Sequence, residues 1–103
     1  HPIQSFADVE GAIANLPGST FGITADPALQ PWALRFVRDL GGVPFLVSEE
    51  EKTLYHAAAC MASNYLTALV SMVEDLYRVL GVAPSSALQT FLPLVRGTVR
   101  NIE

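Results

Sequence analysis

Residues 49–80 read EEEKTLYHAAACMASNYLTALVSMVEDLYRVL, and no other stretch constrains the fold as strongly. Ser48, followed three residues later by Glu51, forms the capping-box pattern that starts a helix. Gly81 follows the stretch and predicts its end, since glycine readily takes the left-handed conformation after a last helical turn. We therefore predict one unbroken helix, which at ~1.5 Å per residue would be ~48 Å long.

The middle of this helix is apolar on nearly every side. Residues 57–73 carry no charge, but a membrane span takes about 20 residues. Their many alanines and the polar Ser63, Asn64 and Thr67 favour a helix buried in protein over a membrane span. The rest of so short a chain cannot readily cover this helix. We therefore predict a homodimer in which a second copy packs against it.

A short βαβ unit is predicted upstream of the long helix. Phe21 and Ile23 alternate within a strand at residues 19–24, and residues 43–47 form a second, continuously apolar strand. The helix between them begins near Pro27 or Pro31 and ends at the two glycines that follow Leu40. Its apolar face repeats at helical spacing and comprises Leu29, Trp32, Ala33, Phe36, Val37 and Leu40. The connection implies a right-handed crossover, and so small a sheet is expected to continue a larger one.

The two remaining segments complete the predicted architecture. Residues 8–18 predict an irregular turn region, punctuated by a Pro-Gly pair. The run Pro84-Ser85-Ser86, with Gln89 three residues after Ser86, predicts the start of a last helix. Its apolar face comprises Leu88, Phe91, Leu92, Val95, Val99 and Ile102. The predicted fold class is mainly α with a small α/β portion: a short βαβ unit, a long central helix and a further helix.

Composition and charge exclude several function classes. Half of the residues are hydrophobic and 16% are charged, which is typical of a packed domain and not of a disordered one. The net charge is −4 and the six basic residues are scattered, so no nucleic-acid-binding surface is predicted. A single cysteine excludes an internal disulfide and is typical of the reducing cytoplasm. Because the chain begins without Met and ends within a helical pattern, we expect a piece of a longer protein.

Polar residues of the long helix form the first candidate site. They occur at steps of four, as Lys52, His56, Cys60 and Asn64, and so follow a slanted line on the helix surface. His56 could act as a general acid or base, and Asn64 could donate a hydrogen bond to a substrate carbonyl. The alternative is that both bond to nearby backbone or to the second subunit, and that Lys52 is an ordinary first-turn lysine. Cys60 and Tyr55 are predicted to be packing residues.

A second candidate cluster consists of His1, Gln4 and Ser5, for which the alternative is a loop remnant. No metal site is predicted, because His1, His56 and Cys60 lack a metal-binding spacing. No glycine-rich phosphate loop is present either, since the paired glycines follow a helix and not a strand. The chemistry of the residues alone therefore does not name a reaction.

Three segments carry a family resemblance: HPIQSF at 1–6, KTLYHAAACMASNY at 52–65 and PLVRGTVRNI at 93–102. With them, nearly the whole chain resembles a C-terminal domain of unknown function that follows a Rossmann-like NADP-binding domain in bacterial reductase-like proteins. Those proteins are related in shape to pyrroline-5-carboxylate and 6-phosphogluconate dehydrogenases. The resemblance thus implies a fold like the C-terminal domain of 6-phosphogluconate dehydrogenase.

The resemblance also implies a division of the chain. Residues 1–48 would be the end of a Rossmann-like sheet, and residues 49–103 a helical dimerisation and substrate domain. NADP or NAD would be bound by the N-terminal domain of the full-length parent, with no cofactor expected in this fragment.

Site residues follow from the same resemblance. His1, Gln4 and Ser5 would lie close to the nucleotide. The candidate catalytic residues Lys52, His56 and Asn64 would face the cleft between the two halves.

Taken together, the sequence predicts the substrate-binding and dimerisation domain of an NAD(P)-dependent oxidoreductase, inactive without its nucleotide-binding half. Its substrate would be a small molecule of unidentified structure. The alternative is a non-catalytic helical module for dimerisation or ligand sensing, so the assignment as an enzyme stays open.

Overall fold

A computed structural model describes residues 1–103. Most of the chain is helical, and two short parallel strands form its sheet. The elements in chain order are α1 (Val9–Asn15), β1 (Thr20–Ile23), α2 (Gln30–Asp39), β2 (Val43–Leu46), α3 (Lys52–Cys60), a π-helical turn (Met61–Tyr65), α4 (Leu66–Val79) and α5 (Pro84–Arg100). This confirms the predicted class, mainly α with a small α/β portion.

The predicted β-α-β order around α2 is confirmed. β1 and β2 pair in parallel, with Thr20 opposite Val43 and Ile23 opposite Leu46. On the other edge of β1 the first residues of the chain run antiparallel, because Ile3 N donates to Thr20 O at 2.7 Å. β1 is therefore the central strand. The larger Rossmann-like sheet stays a prediction.

The core of this region lies between β1 and α2. Phe21 and Ile23 point to the same face of β1, as alternation along a strand requires, and both are buried. Val37 of α2 packs against them. Five partly buried side chains complete the cluster: Leu16, Ala25, Ala33, Leu34 and Leu40. Burying side chains of this size contributes about 1.5–3 kcal/mol each, so this cluster holds the sheet to its helix.

The ends of α2 agree with the sequence signals. The helix begins at Gln30, so Pro31 lies in its first turn and the later of the two predicted starts is correct. Gly41 has a φ of 73°, and Gly42 N donates to Val37 O at 2.9 Å. The two glycines therefore end the helix with the six-to-one hydrogen bond of a Schellman motif.

One predicted irregular segment is wrong. Residues 9–15, inside the predicted turn region, form α1. Asp8 caps the helix, since its Oδ1 accepts a hydrogen bond from Gly11 N at 2.6 Å. No residue of α1 is buried. The prediction overlooked two local signals of this helix, the capping Asp8 and the helical spacing of Val9, Ala12, Ile13 and Leu16.

The capping box predicted at the start of the long helix is confirmed. Ser48 N donates to Glu51 Oε2 at 3.0 Å, and Glu51 N donates to Ser48 Oγ at 3.3 Å. The helical assignment then continues without a break from Lys52 to Val79, which confirms the predicted unbroken helix, and residues 61–65 take π-helical geometry within it. Nothing in the local sequence marks this turn. Gly81 follows with a φ of 88°, which confirms the predicted stop.

The chain divides into two compact units, residues 1–60 and residues 61–103. The division expected at residue 48 from the resemblance stays a prediction.

In the second unit Tyr77 of α4 stacks on Phe91 of α5, with ring centroids 5.3 Å apart. α5 begins at Pro84, which confirms the start predicted at residues 84–86. It has no side-chain cap, so the predicted capping box does not form there, and a proline in the first turn needs no donor partner.

No helix in the structure combines the length and the hydrophobicity needed to cross a bilayer. The cytoplasmic location stays a prediction.

Candidate functional site

A hollow of about 720 Å³ lies along β1 within the first unit. The chain start contributes His1 to its lining. The polar side chains of α3 in the lining are Lys52, Tyr55 and His56, and α2 contributes the aromatic rings of Trp32 and Phe36. We call this cavity the β1 hollow. It combines aromatic walls with a few hydrogen-bonding groups, a combination typical of small-molecule sites.

The Tyr55 hydroxyl joins three parts of the hollow. Tyr55 Oη donates to the carbonyl oxygen of His1 at 3.1 Å and accepts from Gly22 N at 3.2 Å. The His1 imidazole also approaches, with Nδ1 3.4 Å from the same oxygen. One side chain thereby connects the chain start, β1 and α3.

This arrangement depends on residue 22 being glycine. A Cβ built at Gly22 would lie 2.5 Å from both Cζ and Oη of Tyr55, closer than real Cβ atoms come to other atoms. Phe45, which is paired with Gly22 across the two strands, stacks on Tyr55 with ring centroids 6.4 Å apart. The Tyr55 ring therefore occupies the space that a side chain at position 22 would fill.

The charged residues beside the hollow lie at the start of α3 and in the turn just before it. Lys52 Nζ lies 2.9 Å from the Glu49 carboxylate, and both side chains are at least half exposed. Solvent screens such a pair, so it contributes little to stability. The Ser48 backbone amide, and secondarily the Ser48 hydroxyl, lower the pKa of Glu51 by hydrogen bonding to its carboxylate. This turn is therefore anchored by the capping box more than by the ion pair.

His56 lines the β1 hollow from α3 and is exposed. Its Nε2 lies 3.4 Å from Cys60 Sγ, one helical turn further on. Cys60 is only partly exposed, as expected for a packing residue. No three His, Cys, Asp or Glu side chains gather in the structure closely enough to hold a metal ion.

The structure brings three of the six predicted site residues together, since His1, Lys52 and His56 all line the β1 hollow. Gln4 instead donates to Ser19 Oγ at 3.3 Å and accepts from the Ser5 amide at 2.8 Å, and it borders a separate hollow.

Asn64 lies exposed in the π-helical turn of the second unit. The roles predicted for all six residues stay predictions.

Residues 19–103 match the model of a family described as a domain of unknown function, DUF2520. The chain belongs to the DUF2520 family. No curated protein and no solved structure matches the chain significantly. Of the groups that line the β1 hollow, those on α2 and α3 lie inside the DUF2520 match, and His1 precedes it.

Two residues of this candidate site were not predicted. The sequence predicts Tyr55 as a packing residue, and Trp32 only as part of an apolar helix face. Gly22, in the middle of a strand, is the signal that could have identified Tyr55, because a strand glycine often marks the close approach of another group. Trp32 stacks on Phe36 at a centroid distance of 5.3 Å, and both rings stay largely exposed. No sequence signal shows that these rings are left uncovered beside a hollow.

Proposed function

We propose that this chain is the substrate-binding and dimerisation domain of an NAD(P)-dependent oxidoreductase whose nucleotide is bound by a Rossmann-like domain outside these residues. One observation carries the proposal: His1, Lys52, Tyr55 and His56 all border one hollow of about 720 Å³ with an apolar wall. Such a combination can hold a small substrate and exchange protons with it. The order of a βαβ unit followed by helices supports the proposed relation to 6-phosphogluconate dehydrogenase C-terminal-like domains.

The chain itself offers no phosphate cradle of the Rossmann type. Gly41 and Gly42 end a helix instead of opening one after a strand, which is why nucleotide binding is assigned to another domain. When bound, the nucleotide supplies or accepts a hydride. The hydride's partner is a proton on the substrate heteroatom, and His56 is the group proposed to deliver or remove it. Lys52 would stabilise negative charge that develops on that heteroatom.

The second part of the proposal, dimerisation, rests on α4. One face of this helix carries Val70, Val73 and Tyr77, which are partly buried in the second unit. About a third of a turn away lies another apolar row: Leu69, Met72, Leu76 and Val79. These four side chains are 57% to 85% exposed. They recur at steps of three, four and three residues, the spacing at which one helix packs against another.

A second copy of the chain is the proposed partner for this row. A two-fold pair would place the same four residues of each copy against each other and so cover both rows at once. This is the simplest arrangement that removes such a row from water without a different protein.

Titration of the full-length protein with NADPH and NADH tests the oxidoreductase part. We expect one of the two nucleotides to bind and to support turnover within a panel of small carbonyl and imine compounds. His56→Ala should lower this turnover, whereas Thr53→Ala, an exposed α3 residue outside the hollow lining, should not. Asn64→Ala tests the donor role predicted from the sequence in the same assay. Absence of nucleotide binding would refute the oxidoreductase proposal and leave the non-catalytic ligand-sensing module.

A further inference from the structure

We propose that the β1 hollow binds a small molecule that joins one carboxylate to a flat apolar body. This inference deepens the proposed function, because it names the substrate class of the same site. It rests on three features of the hollow: a lining without carboxylates, two exposed aromatic rings and the Lys52 ammonium at its border.

The lining of the β1 hollow has an unusual charge for this chain. The chain carries ten carboxylates against six basic side chains, yet no Asp or Glu lines this hollow. Its one charged side chain is Lys52. A neighbouring hollow of about 670 Å³, by contrast, is lined by Asp26, Glu49 and Glu51. The lining of the β1 hollow is thus free of carboxylates on an acidic chain, and Lys52 is the side chain that can pair with an anion there.

The exposed aromatic rings of the hollow favour a ligand that also has a flat apolar part. Trp32 and Phe36 lie nearly parallel, at an interplanar angle of 9°, and are 60% and 49% exposed. Both line the hollow. Large aromatic surfaces left in water cost free energy in proportion to their apolar area, so a flat apolar ligand body that covers them would be stabilised.

A single carboxylate fits the charged side better than a phosphate does. Lys52 is the only charged side chain of the lining and no arginine borders the hollow. The backbone amide of Glu51 already bonds to Ser48 Oγ. Glu49 and Glu51 stand on the same turn and would repel a dianion. Lys52 Nζ already holds the Glu49 carboxylate at 2.9 Å, which shows that this ammonium can pair with one carboxylate. The ligand carboxylate is proposed to take the place of Glu49.

Trp32 provides the measurement, because it is the only tryptophan of the chain and borders the hollow. The full-length protein is titrated with phenylacetate, phenylacetamide and acetate, without nucleotide, while tryptophan fluorescence is recorded; Trp32→Phe supplies the blank. We expect phenylacetate to bind about tenfold tighter than the amide, a difference of about 1.4 kcal/mol, because only the acid forms a hydrogen bond between two charged groups with Lys52. Acetate should bind more weakly than both aromatic probes.

Three variants assign the effect to the hollow. Lys52→Gln should remove the preference for the acid, and Glu49→Gln should strengthen phenylacetate binding several-fold by freeing the ammonium. Arg78→Gln is the matched control, because Arg78 forms an equivalent ion pair with Asp75 three residues away but lies in the second unit. It should leave all three affinities unchanged.

Equal affinity for the acid and the amide, or no saturable quenching by either, would overturn the inference. Unchanged acid preference in Lys52→Gln would overturn it as well. The experiments distinguish this inference from the proposed function. If the protein binds carboxylates but no nucleotide, the oxidoreductase proposal is refuted and the carboxylate site is supported. If it binds nucleotide but does not prefer the acid, the carboxylate site is refuted and the oxidoreductase proposal stands.

Discussion

Tyr55 Oη lies 3.2 Å from the backbone nitrogen of Gly22, and the ring packs where a side chain at position 22 would stand. The pair fixes the start of α3 against the central strand of the sheet. Since Tyr55 also bonds to the carbonyl of His1 at 3.1 Å, the shape of the β1 hollow depends on this contact. It is therefore the first place at which substitutions should change both stability and ligand binding.

Gly22→Ala should destabilise the protein by about 1–3 kcal/mol, because the added methyl group would overlap the Tyr55 ring. Urea denaturation of the full-length protein measures the change. Gly97→Ala is the matched control: a Cβ at Gly97, within α5, meets nothing within 4 Å, so alanine there should be neutral or stabilising by up to about 1 kcal/mol. A Gly22→Ala protein as stable as the wild type would mean that Tyr55 does not pack against β1.

Tyr55→Phe should cost about 0.5–1.5 kcal/mol, because it removes the hydroxyl that accepts from Gly22 N and donates to His1 O while keeping the ring. It should also weaken phenylacetate binding, since the chain start would no longer be held beside the hollow. Tyr65→Phe, on a ring that is 65% exposed, serves as the control for loss of a tyrosine hydroxyl. If both variants lose the same stability, the three-way contact of Tyr55 contributes nothing specific.

Sedimentation of the chain tests the uncovered row on α4. We expect a species of twice 11.1 kDa for the wild type, and a monomer for Leu69→Glu combined with Leu76→Glu, because a charge in each half of the row would have to be desolvated. Val9→Glu, at an equally exposed apolar residue of α1, is the control and should stay dimeric. A wild-type monomer at micromolar concentration would count against dimerisation through this helix.

Lowering the pH should destabilise the start of α3, because the Glu51 carboxylate in its capping box becomes protonated. Hydrogen bonds from Ser48 lower the pKa of Glu51 in the folded protein, so its carboxylate stabilises the fold above the pKa that Glu51 has in the unfolded chain. That contribution is lost as the pH falls through the lowered, folded-state pKa. Glu51→Gln keeps the capping hydrogen bonds but does not titrate.

The measurement is the free energy of unfolding of wild type and Glu51→Gln across this acidic range. The wild type should lose stability relative to the variant as the pH falls. Glu50→Gln, on the same turn, is the control and should run parallel to the wild type. If the difference in the free energy of unfolding between wild type and Glu51→Gln does not change with pH, a role for this carboxylate is contradicted.

Signals contained in a few neighbouring residues predicted the fold well. The Ser48–Glu51 capping box, the glycine stops at Gly41 and Gly81 and the alternation of Phe21 with Ile23 each appear in the structure. These signals act over three to six residues, so the local backbone conformation follows from local chemistry. α1 carries signals of the same kind, Asp8 followed by Val9, Ala12, Ile13 and Leu16 at helical spacing, and the prediction of an irregular segment overlooked them.

Three of the six predicted site residues line the β1 hollow, and they do so for two different reasons. Lys52 and His56 share a helix, so their spacing alone places them near each other. His1 joins them only because the chain start pairs with β1 and contacts Tyr55, 54 residues further along the chain. Gln4 and Ser5 are close in sequence to His1 but bond to each other, and Gln4 also bonds to Ser19.

From its sequence alone, then, this chain could be recognised as a βαβ unit followed by long helices, because propensity, caps and periodicity are properties of short segments. The hollow could not be recognised, since its walls come from β1, α2 and α3 and depend on a contact between Gly22 and Tyr55, 33 residues apart. Contacts between residues so far apart in sequence depend on tertiary packing: the absence of a Cβ at Gly22 leaves room for the ring of Tyr55 from α3.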